Sequence, residues 1–165
     1  MIFSVFMLVG CNGPKPSFID TKNRNYDDYY ERFGINNLEE EFFYKDSNHY
    51  LIYIYSDTCS HCNNIKGVIL DYLDSIIDET CNGITDIYIF NGSKDPNFRT
   101  YFKEKPENWQ SDGLQNTLIT QMIGASSLTE TYFFGTPSLY TIKDHVLSTF
   151  YLGEDTVGDY FYRNM

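Results

Sequence analysis

The chain has 165 residues, of which 42% are hydrophobic, including 15 Tyr and 13 Phe. That length and apolar content suit one compact domain with its own core and argue against a second full domain. Twelve Lys and Arg against 23 Asp and Glu give a formal net charge of −11, with the acids scattered along the chain, so we expect no nucleic-acid partner.

The first ten residues, MIFSVFMLVG, are an uncharged apolar run that is too short to cross a bilayer as a helix. Residues 8–11 (LVGC) resemble a bacterial lipobox, which is cleaved before its cysteine. We therefore predict that residues 1–11 are a signal segment, that Cys11 is lipidated and anchors the chain to the cell membrane, and that residues 12–25 are a linker. No Lys or Arg precedes the apolar run, so the true start can lie further upstream, and a short buried N-terminal segment is the alternative.

The next elements follow from hydrophobic patterns. Residues 37–43 begin with a capping Asn and continue into acids, which predicts a short helix. Residues 50–55 (YLIYIY) have the composition of a strand buried on both faces. From Cys59 to about Glu79 apolar residues recur at intervals of three and four, which predicts a helix. Residues 84–90 again have strand composition, so we predict a parallel strand–helix–strand unit with the usual right-handed crossover.

The second half of the chain begins with a long polar section. Residues 91–134 contain helical patches at 97–105 and 114–123, separated by Pro106 and a turn. Residues 138–142 and 146–152 flank a turn and predict an antiparallel hairpin. A last helix is predicted from about Thr156.

Cys59 and Cys62 are separated by two residues at the start of the predicted helix. Unpaired N–H groups and the helix dipole favour negative charge there, which predicts a lowered pKa for the Cys59 thiol. The Cys59 thiolate then attacks a substrate disulfide and Cys62 resolves the mixed disulfide, while the reverse reaction oxidises substrate thiols. We predict that Ser60 and His61 tune the direction, because a protonated His61 stabilises the thiolate and makes the oxidised form a stronger oxidant.

Two other interpretations of this motif stay open. The spacing also occurs in half of a zinc site, so Cys59, His61 and Cys62 are a candidate ligand set for a metal-delivery protein. The other histidines and Cys81 match no zinc spacing, and we predict no metal and no cofactor. The pair can also be a passive disulfide in a binding module. The number of cysteines, four, is too low for a disulfide-dense scaffold, and we expect Cys81 to be a small buried residue.

Residues 53–62 (YIYSDTCSHC), together with residues 135–139 (GTPSL), resemble the thioredoxin-like superfamily from about residue 38 onward. The resemblance implies an α/β domain over residues 26–165, with a thioredoxin-like fold: a central mixed β-sheet flanked by helices, with a helical insertion before the cis-proline strand. It also implies a cis peptide bond before Pro137, and that Thr136 and Pro137 bind an extended substrate strand.

The whole chain most resembles small thioredoxin-like lipoproteins of low-GC Gram-positive bacteria, including bacteriocin-accessory-type proteins. Its CxHC motif is similar to the active site of bacterial disulfide oxidases, whereas thioredoxins have Trp in place of Thr58 and Gly-Pro between the cysteines. Tyr53 stands where thioredoxins carry a buried acid, which argues against efficient reduction of the thioredoxin kind.

The resemblance and the dithiol together predict an extracytoplasmic thiol–disulfide oxidoreductase. We expect its partners to be proteins with thiols or disulfides, a redox partner in the membrane and the membrane itself through the lipid anchor. The alternative is a non-catalytic lipoprotein that serves as a scaffold in an export or bacteriocin-related assembly.

Overall fold

A computed structural model of the chain describes residues 17–80, 84–111 and 113–165. The predicted signal segment, Cys11 and Cys81 lie outside the described residues. The strands are β1 (His49–Tyr55), β2 (Asp86–Asn91), β3 (Ser138–Lys143) and β4 (Val146–Leu152). The α-helices are α1 (Tyr30–Phe33), α2 (Leu38–Glu41), α3 (Ser60–Asn64), α4 (Lys66–Ile77), α5 (Leu114–Met122) and α6 (Glu154–Arg163). Shorter 3-10 turns lie at Tyr26–Tyr29, Phe98–Tyr101 and Leu128–Glu130.

The four strands form one mixed sheet in the order β2-β1-β3-β4. β1 pairs in parallel with β2, as predicted for the strand–helix–strand unit, and antiparallel with β3. β3 and β4 form the predicted hairpin. Because Tyr55 pairs with Asn91 and Ile54 pairs with Ser138, the ends of β1 and β2 and the start of β3 meet at one end of the sheet.

The central strand β1 is buried on both faces, which explains its unbroken run of aromatic and β-branched residues. All residues from Tyr50 to Tyr55 are at most 2% exposed. Successive side chains in a strand point to opposite faces, so β1 contributes to two separate cores. One contains Tyr50, Ile52 and Ile54, and the other contains Leu51, Tyr53 and Tyr55.

Helices cover both faces of the sheet. The core that contains Tyr53 is closed by the apolar faces of α4 and α6, with Leu73 and Phe161 fully buried. The opposite core is closed by α2 and by the insertion between β2 and β3, in which α5 buries Leu118 and Met122. The predicted α/β fold, a thioredoxin-like mixed sheet flanked by helices with a helical insertion before β3, is therefore confirmed.

The prediction of a single helix from Cys59 to Glu79 is wrong in one respect: this segment forms two helices, α3 and α4. Ile65 separates them with φ −111° and ψ 7°, outside helical geometry. The Gly67 N–H donates to the carbonyl of Phe18 at 2.9 Å instead of to the preceding helical turn. A carbonyl distant in sequence thus accepts the N–H that a continuous helix would pair internally, although the apolar periodicity runs through the break.

The helix predicted over residues 97–105 is also wrong. Only the 3-10 turn Phe98–Tyr101 forms, and Phe102 is already extended. Lys103 then pairs with Tyr132, and the Lys103 N–H donates to the Thr131 carbonyl at 2.8 Å. This long-range pairing holds the chain extended where local propensity favours a helix. The other predicted elements agree within two residues at their ends.

Residues 17–25, which belong to the predicted linker, lie along α4 and are called the strap here. The guanidinium of Arg24 contacts the carboxylates of Asp20, Asp71 and Asp74. Gly67 lets the strap approach, because a Cβ there would lie 2.3 Å from the carbonyl oxygen of Ser17. Within the described ranges, no helix has the length and hydropathy needed to cross a bilayer.

Candidate active site

Cys59 and Cys62 form a disulfide directly after β1, with their Cα atoms 5.2 Å apart. Cys59 is the N-cap of α3, in extended conformation, and its sulfur accepts the backbone N–H of Cys62 at 3.0 Å. The Cys59 N–H in turn donates to the carbonyl of Ser56 at 3.1 Å, which fixes the turn that leads from β1 into the helix. The predicted dithiol therefore lies at the junction between strand and helix.

The two cysteines differ in their access to solvent. Cys62 is 1% exposed and packs in the core under α4, whereas Cys59 is only half-buried. Ser60, between them, is exposed on the surface. Of the two cysteines, Cys59 is therefore the one that reaches the protein surface, and Cys62 is the one that the core encloses.

His61 makes a contact that the sequence did not predict. Its Nδ1 lies 2.9 Å from Oε2 of Glu154, the first residue of α6, and Asn64 donates to the same oxygen at 2.8 Å. Because a carboxylate only accepts, Nδ1 carries the proton. These two hydrogen bonds, that of His61 foremost, lower the pKa of Glu154 below its usual range. The predicted action of His61 on the Cys59 thiolate stays a prediction.

Glu154 was missed because it lies 93 residues from His61. The sequence carried one weak signal, a glycine followed by acids at the start of the last helix, which is typical of any helix N-terminus. Nothing in such a pattern indicates which distant residue the acid will meet.

The peptide bond between Thr136 and Pro137 is cis, as the resemblance implies. Pro137 is buried, and Ser138 next to it pairs with Ile54 near the end of β1, so the loop lies at the same end of the sheet as the dithiol. The Pro137 carbonyl accepts the N–H of Gly153 at 3.0 Å. Thr136 is half-buried, and its predicted pairing with a substrate strand stays a prediction.

Cys62 lines a polar cavity of about 190 Å³. Its walls also include the carboxylates of Asp27 and Asp57 and the ammonium of Lys66. The full lining is Asn25, Tyr26, Asp27, Tyr55, Ser56, Asp57, Cys62, Asn63 and Lys66. A cavity of this size and polarity has room for several waters.

Tyr26 and Tyr55 line this cavity, and both rings pack against Tyr53, which stands where the sequence lacks a buried acid. The hydroxyls of Tyr26 and Tyr53 are 3.3 Å apart, and burial raises the pKa of both groups. The hydroxyl of Tyr55 is buried and has no hydrogen-bond partner among the described residues. Asp57 is exposed at the cavity mouth and accepts a hydrogen bond from Asn91 at 2.8 Å. Both acidic residues of this lining, Asp27 and Asp57, are therefore exposed at the surface, and neither is buried beneath the sheet.

No set of three or more His, Cys, Asp or Glu side chains in the described ranges is arranged to hold a metal ion. Cys59 and Cys62 are joined by the disulfide, and His61 is hydrogen-bonded to Glu154.

Comparison with family models finds none that matches the chain, and no curated protein matches it significantly. Among solved structures, the J-Trx1 fragment of ERdj5 is 14% identical over 84% of this chain and 53% of its own length, with a TM-score of 0.45. A structure that describes the thiol-resolving mechanism in yeast mitochondrial 1-Cys peroxiredoxin via glutathione/thioredoxin systems contains a chain that is 11% identical over 83% of this chain and 98% of its own, with a TM-score of 0.46. The thioredoxin of Malassezia sympodialis is 11% identical over 85% of each chain, with a TM-score of 0.38. This chain therefore spans about half of the ERdj5 fragment.

Proposed function

We propose that the chain is a thiol–disulfide oxidoreductase that exchanges disulfides with substrate proteins through Cys59 and Cys62. The observation that carries the proposal is the asymmetry of the pair: a half-buried Cys59 at the start of α3 is bonded to a Cys62 that is 1% exposed. A purely structural bridge gains nothing from one accessible sulfur, whereas exchange needs one attacking and one resolving thiol.

The chemistry in the reducing direction has two steps. The Cys59 thiolate attacks one sulfur of a substrate disulfide, which forms a mixed disulfide and releases the other substrate sulfur as a thiolate. Cys62 then loses its proton and attacks the Cys59 sulfur, which restores the Cys59–Cys62 disulfide and releases the second substrate thiolate. Two electrons pass from the pair to the substrate, and the reverse sequence oxidises substrate thiols.

Both thiolates receive support from groups at the site. The Cys62 N–H already points at the Cys59 sulfur from 3.0 Å, so the negative charge of the thiolate has a donor in place. The Cys62 thiol is buried and cannot release its proton directly to bulk water. Water in the cavity beside it offers a route from Cys62 to the carboxylate of Asp57 at the rim.

We also propose that this exchange takes place on the outer side of a bacterial membrane, with Cys11 as the lipid anchor. The apolar run that ends at Cys11 supports this location, and an oxidising compartment suits a disulfide-exchanging pair. Membrane labelling of the full-length chain with a palmitate analogue tests the anchor, with Cys11→Ser as the control that must lose the label. Lipidation that persists in Cys11→Ser would reject this site.

The deciding test of the exchange reaction is a redox titration in glutathione buffers, read by alkylation and mass spectrometry. The full chain should carry Cys11→Ser and Cys81→Ser, so that only the Cys59 and Cys62 pair titrates. We expect a single two-electron transition. A potential near about −120 mV makes the protein a disulfide donor, and one near about −270 mV makes it a reductant. A pair that stays oxidised at every ratio would falsify the enzyme proposal.

A second test separates the enzyme from the scaffold alternative. Cys59→Ser abolishes exchange in the proposed mechanism, while Cys62→Ser lets the mixed disulfide with substrate accumulate. We expect a trapped mixed disulfide in Cys62→Ser and none in the variant that carries both Cys59→Ser and Cys62→Ser. A cellular phenotype that survives Cys59→Ser unchanged would instead support the scaffold.

A further inference from the structure

A second cavity, of about 460 Å³, lies between the insertion and the cis-proline loop. We call it the aromatic–basic cavity. Its walls combine the rings of Phe102, Trp109, Phe133 and Phe134 with the cations of Arg99, Lys103 and Lys105, next to Glu104 and Gly135. The mechanism proposed above uses none of these groups.

The aromatic wall is held in place by ring contacts. The Trp109 and Phe134 ring centroids are 5.5 Å apart, and those of Phe102 and Phe133 are also 5.5 Å apart. Phe102, Phe133 and Phe134 are less than 8% exposed, whereas Trp109 is only half-buried. The cavity thus offers a fixed apolar surface for an apolar or aromatic side chain.

The cations of the cavity lack counter-charges. Arg99, Lys103 and Lys105 have no carboxylate oxygen within 4.0 Å among the described residues, and each lies over aromatic rings instead. A carboxylate does pair with Lys22, Arg24, Lys45, Lys94 and Arg163, whereas Arg32, Lys66 and Lys143 are in no ion pair among the described residues either. The cavity is distinct because it gathers three such cations on one wall. Burial and the neighbouring Arg99 lower the pKa of Lys105, the most enclosed of the three.

A chain with a net charge of −11 has carboxylates to spare, yet these three cations are left without them. Glu104 is the one acidic group on the cavity wall among the described residues, so cations outnumber carboxylates in that set. A ligand that brings its own carboxylates therefore gains ion pairs that the protein itself does not form.

The cavity is continuous with the loop at which the substrate strand is expected. Gly135 lines the cavity and directly precedes Thr136 and Pro137. Gly135 has φ +146°, and apart from its chain neighbours nothing among the described residues lies within 4 Å of the place that a Cβ would take, so the space beside it is open. Consecutive residues of an extended strand are spaced by about 3.3 Å, so a substrate segment reaches the cavity within a few residues of its cysteine.

We propose that the aromatic–basic cavity binds an acidic segment of the substrate protein, next to the cysteine that is exchanged. An apolar or aromatic side chain of the segment packs on Trp109 and Phe134. The Asp or Glu carboxylates of the segment pair with Arg99 and Lys103. This inference rests on the proposed function, because it names the class of substrate that the dithiol receives.

Binding can be measured without any thiol chemistry, because Trp109 is the single Trp of the chain and lines the cavity. The oxidised full chain is titrated with two cysteine-free peptides, Glu-Glu-Phe-Glu-Glu and its isostere Gln-Gln-Phe-Gln-Gln, and the emission of Trp109 is recorded. We expect the acidic peptide to bind with a Kd at least about tenfold lower and to weaken with added salt. Equal affinities for the two peptides overturn the proposal.

Two variants test whether the preference for the acidic peptide comes from the cations of the cavity. Arg99→Gln with Lys103→Gln should raise the Kd of the acidic peptide by about tenfold or more, since each removes one ion pair. Lys143→Gln is the control, because Lys143 is exposed at the far end of β3 from Pro137 and is in no ion pair among the described residues. A Kd that rises equally in Lys143→Gln indicates a general charge effect and overturns the proposal.

Exchange kinetics separate this inference from the proposed function. The same two peptides, each extended by a disulfide-linked cysteine, are compared with hydroxyethyl disulfide, which carries no charge. We expect Arg99→Gln with Lys103→Gln to slow exchange with the acidic peptide only. If neither the wild type nor the variant exchanges hydroxyethyl disulfide, the proposed function fails. The fluorescence titration then still tests whether the cavity binds the acidic peptide. Displacement of the peptide by free glutamate at equal concentration indicates a small-anion site and overturns the polypeptide assignment.

Discussion

The Nδ1 of His61, inside the CxxC motif, lies 2.9 Å from Oε2 of Glu154 at the start of α6. The residue before Glu154 donates its N–H to the carbonyl of Pro137 at 3.0 Å. The start of α6 therefore contacts both the dithiol helix and the cis-proline loop, and it fixes them relative to each other. Any change in the ionisation of Glu154 acts on this junction.

His61→Ala should raise the pKa of Glu154 toward its ordinary value of about 4.3, because the larger of its two lowering hydrogen bonds is lost. Asn64→Ala should raise it by less. The measurement is a carboxyl NMR titration of the protein labelled at Glu. His145→Ala, which removes a histidine bonded to the Phe43 carbonyl, is the control and should leave Glu154 unchanged. An unaltered titration in His61→Ala would contradict the contact.

Asp57→Asn should slow the resolving step by on the order of tenfold, because the cavity loses the carboxylate that receives the Cys62 proton in the proposed mechanism. Rapid-quench trapping of the mixed disulfide measures this step directly, as the intermediate accumulates when its resolution is slow. Asp27→Asn is the matched control, since Asp27 also lines the cavity but is paired with Lys94 at 2.6 Å. Equal slowing in both variants would assign the effect to the overall negative charge of the cavity and not to proton transfer by Asp57.

Gly67→Ala should destabilise the protein by about 1 to 2 kcal/mol, despite the better helix propensity of Ala. Its Cβ would lie 2.3 Å from the Ser17 carbonyl oxygen and 2.6 Å from the Ile19 carbonyl carbon, so the strap has to move. Denaturant unfolding gives the stability, and hydrogen exchange of residues 17–25 reports the detachment of the strap.

Gly158→Ala in α6 is the comparison for this prediction. Its Cβ meets only side chains, the ring edge of Phe18 at 2.8 Å and Cγ2 of Ile65 at 3.0 Å. The Phe18 ring is 39% exposed, although it stacks on Tyr162, so it gives way more easily than backbone atoms do. A smaller loss is expected than for Gly67→Ala. A larger loss in Gly158→Ala would show that backbone contact with the strap is not the limiting constraint.

The strap should loosen at low pH. Burial acts to raise the pKa of Asp20, but the hydrogen bonds donated by the backbone and side chain of Arg24 outweigh it and leave the pKa below its usual value. A depressed pKa in the folded state contributes stability above the ordinary value of about 4, and this contribution is lost as the pH falls through the folded value. The difference in unfolding free energy between the wild type and Asp20→Asn should therefore be full at pH 6 and should shrink below about pH 4. A difference that is constant over this range would contradict the assignment.

Features that depend on neighbours in sequence could be predicted from the sequence. The run of residues 50–55 indicated a strand buried on both faces, and the hairpin of β3 and β4 followed from alternation around a turn. The position of Cys59 and Cys62 after that strand placed the dithiol at the start of a helix. These predictions hold because hydrophobic periodicity and turn chemistry act within a few residues.

Only the tertiary structure decided the contacts between distant residues. The Phe18 carbonyl accepts the Gly67 N–H just after the helix break at Ile65, and the Thr131 carbonyl accepts the N–H of Lys103, although local propensity favours a helix at both places. Glu154 meets His61 across 93 residues for the same reason. A hydrogen bond with a remote group outweighs the small free-energy differences of local propensity, and its partner is chosen by the packing of the whole chain.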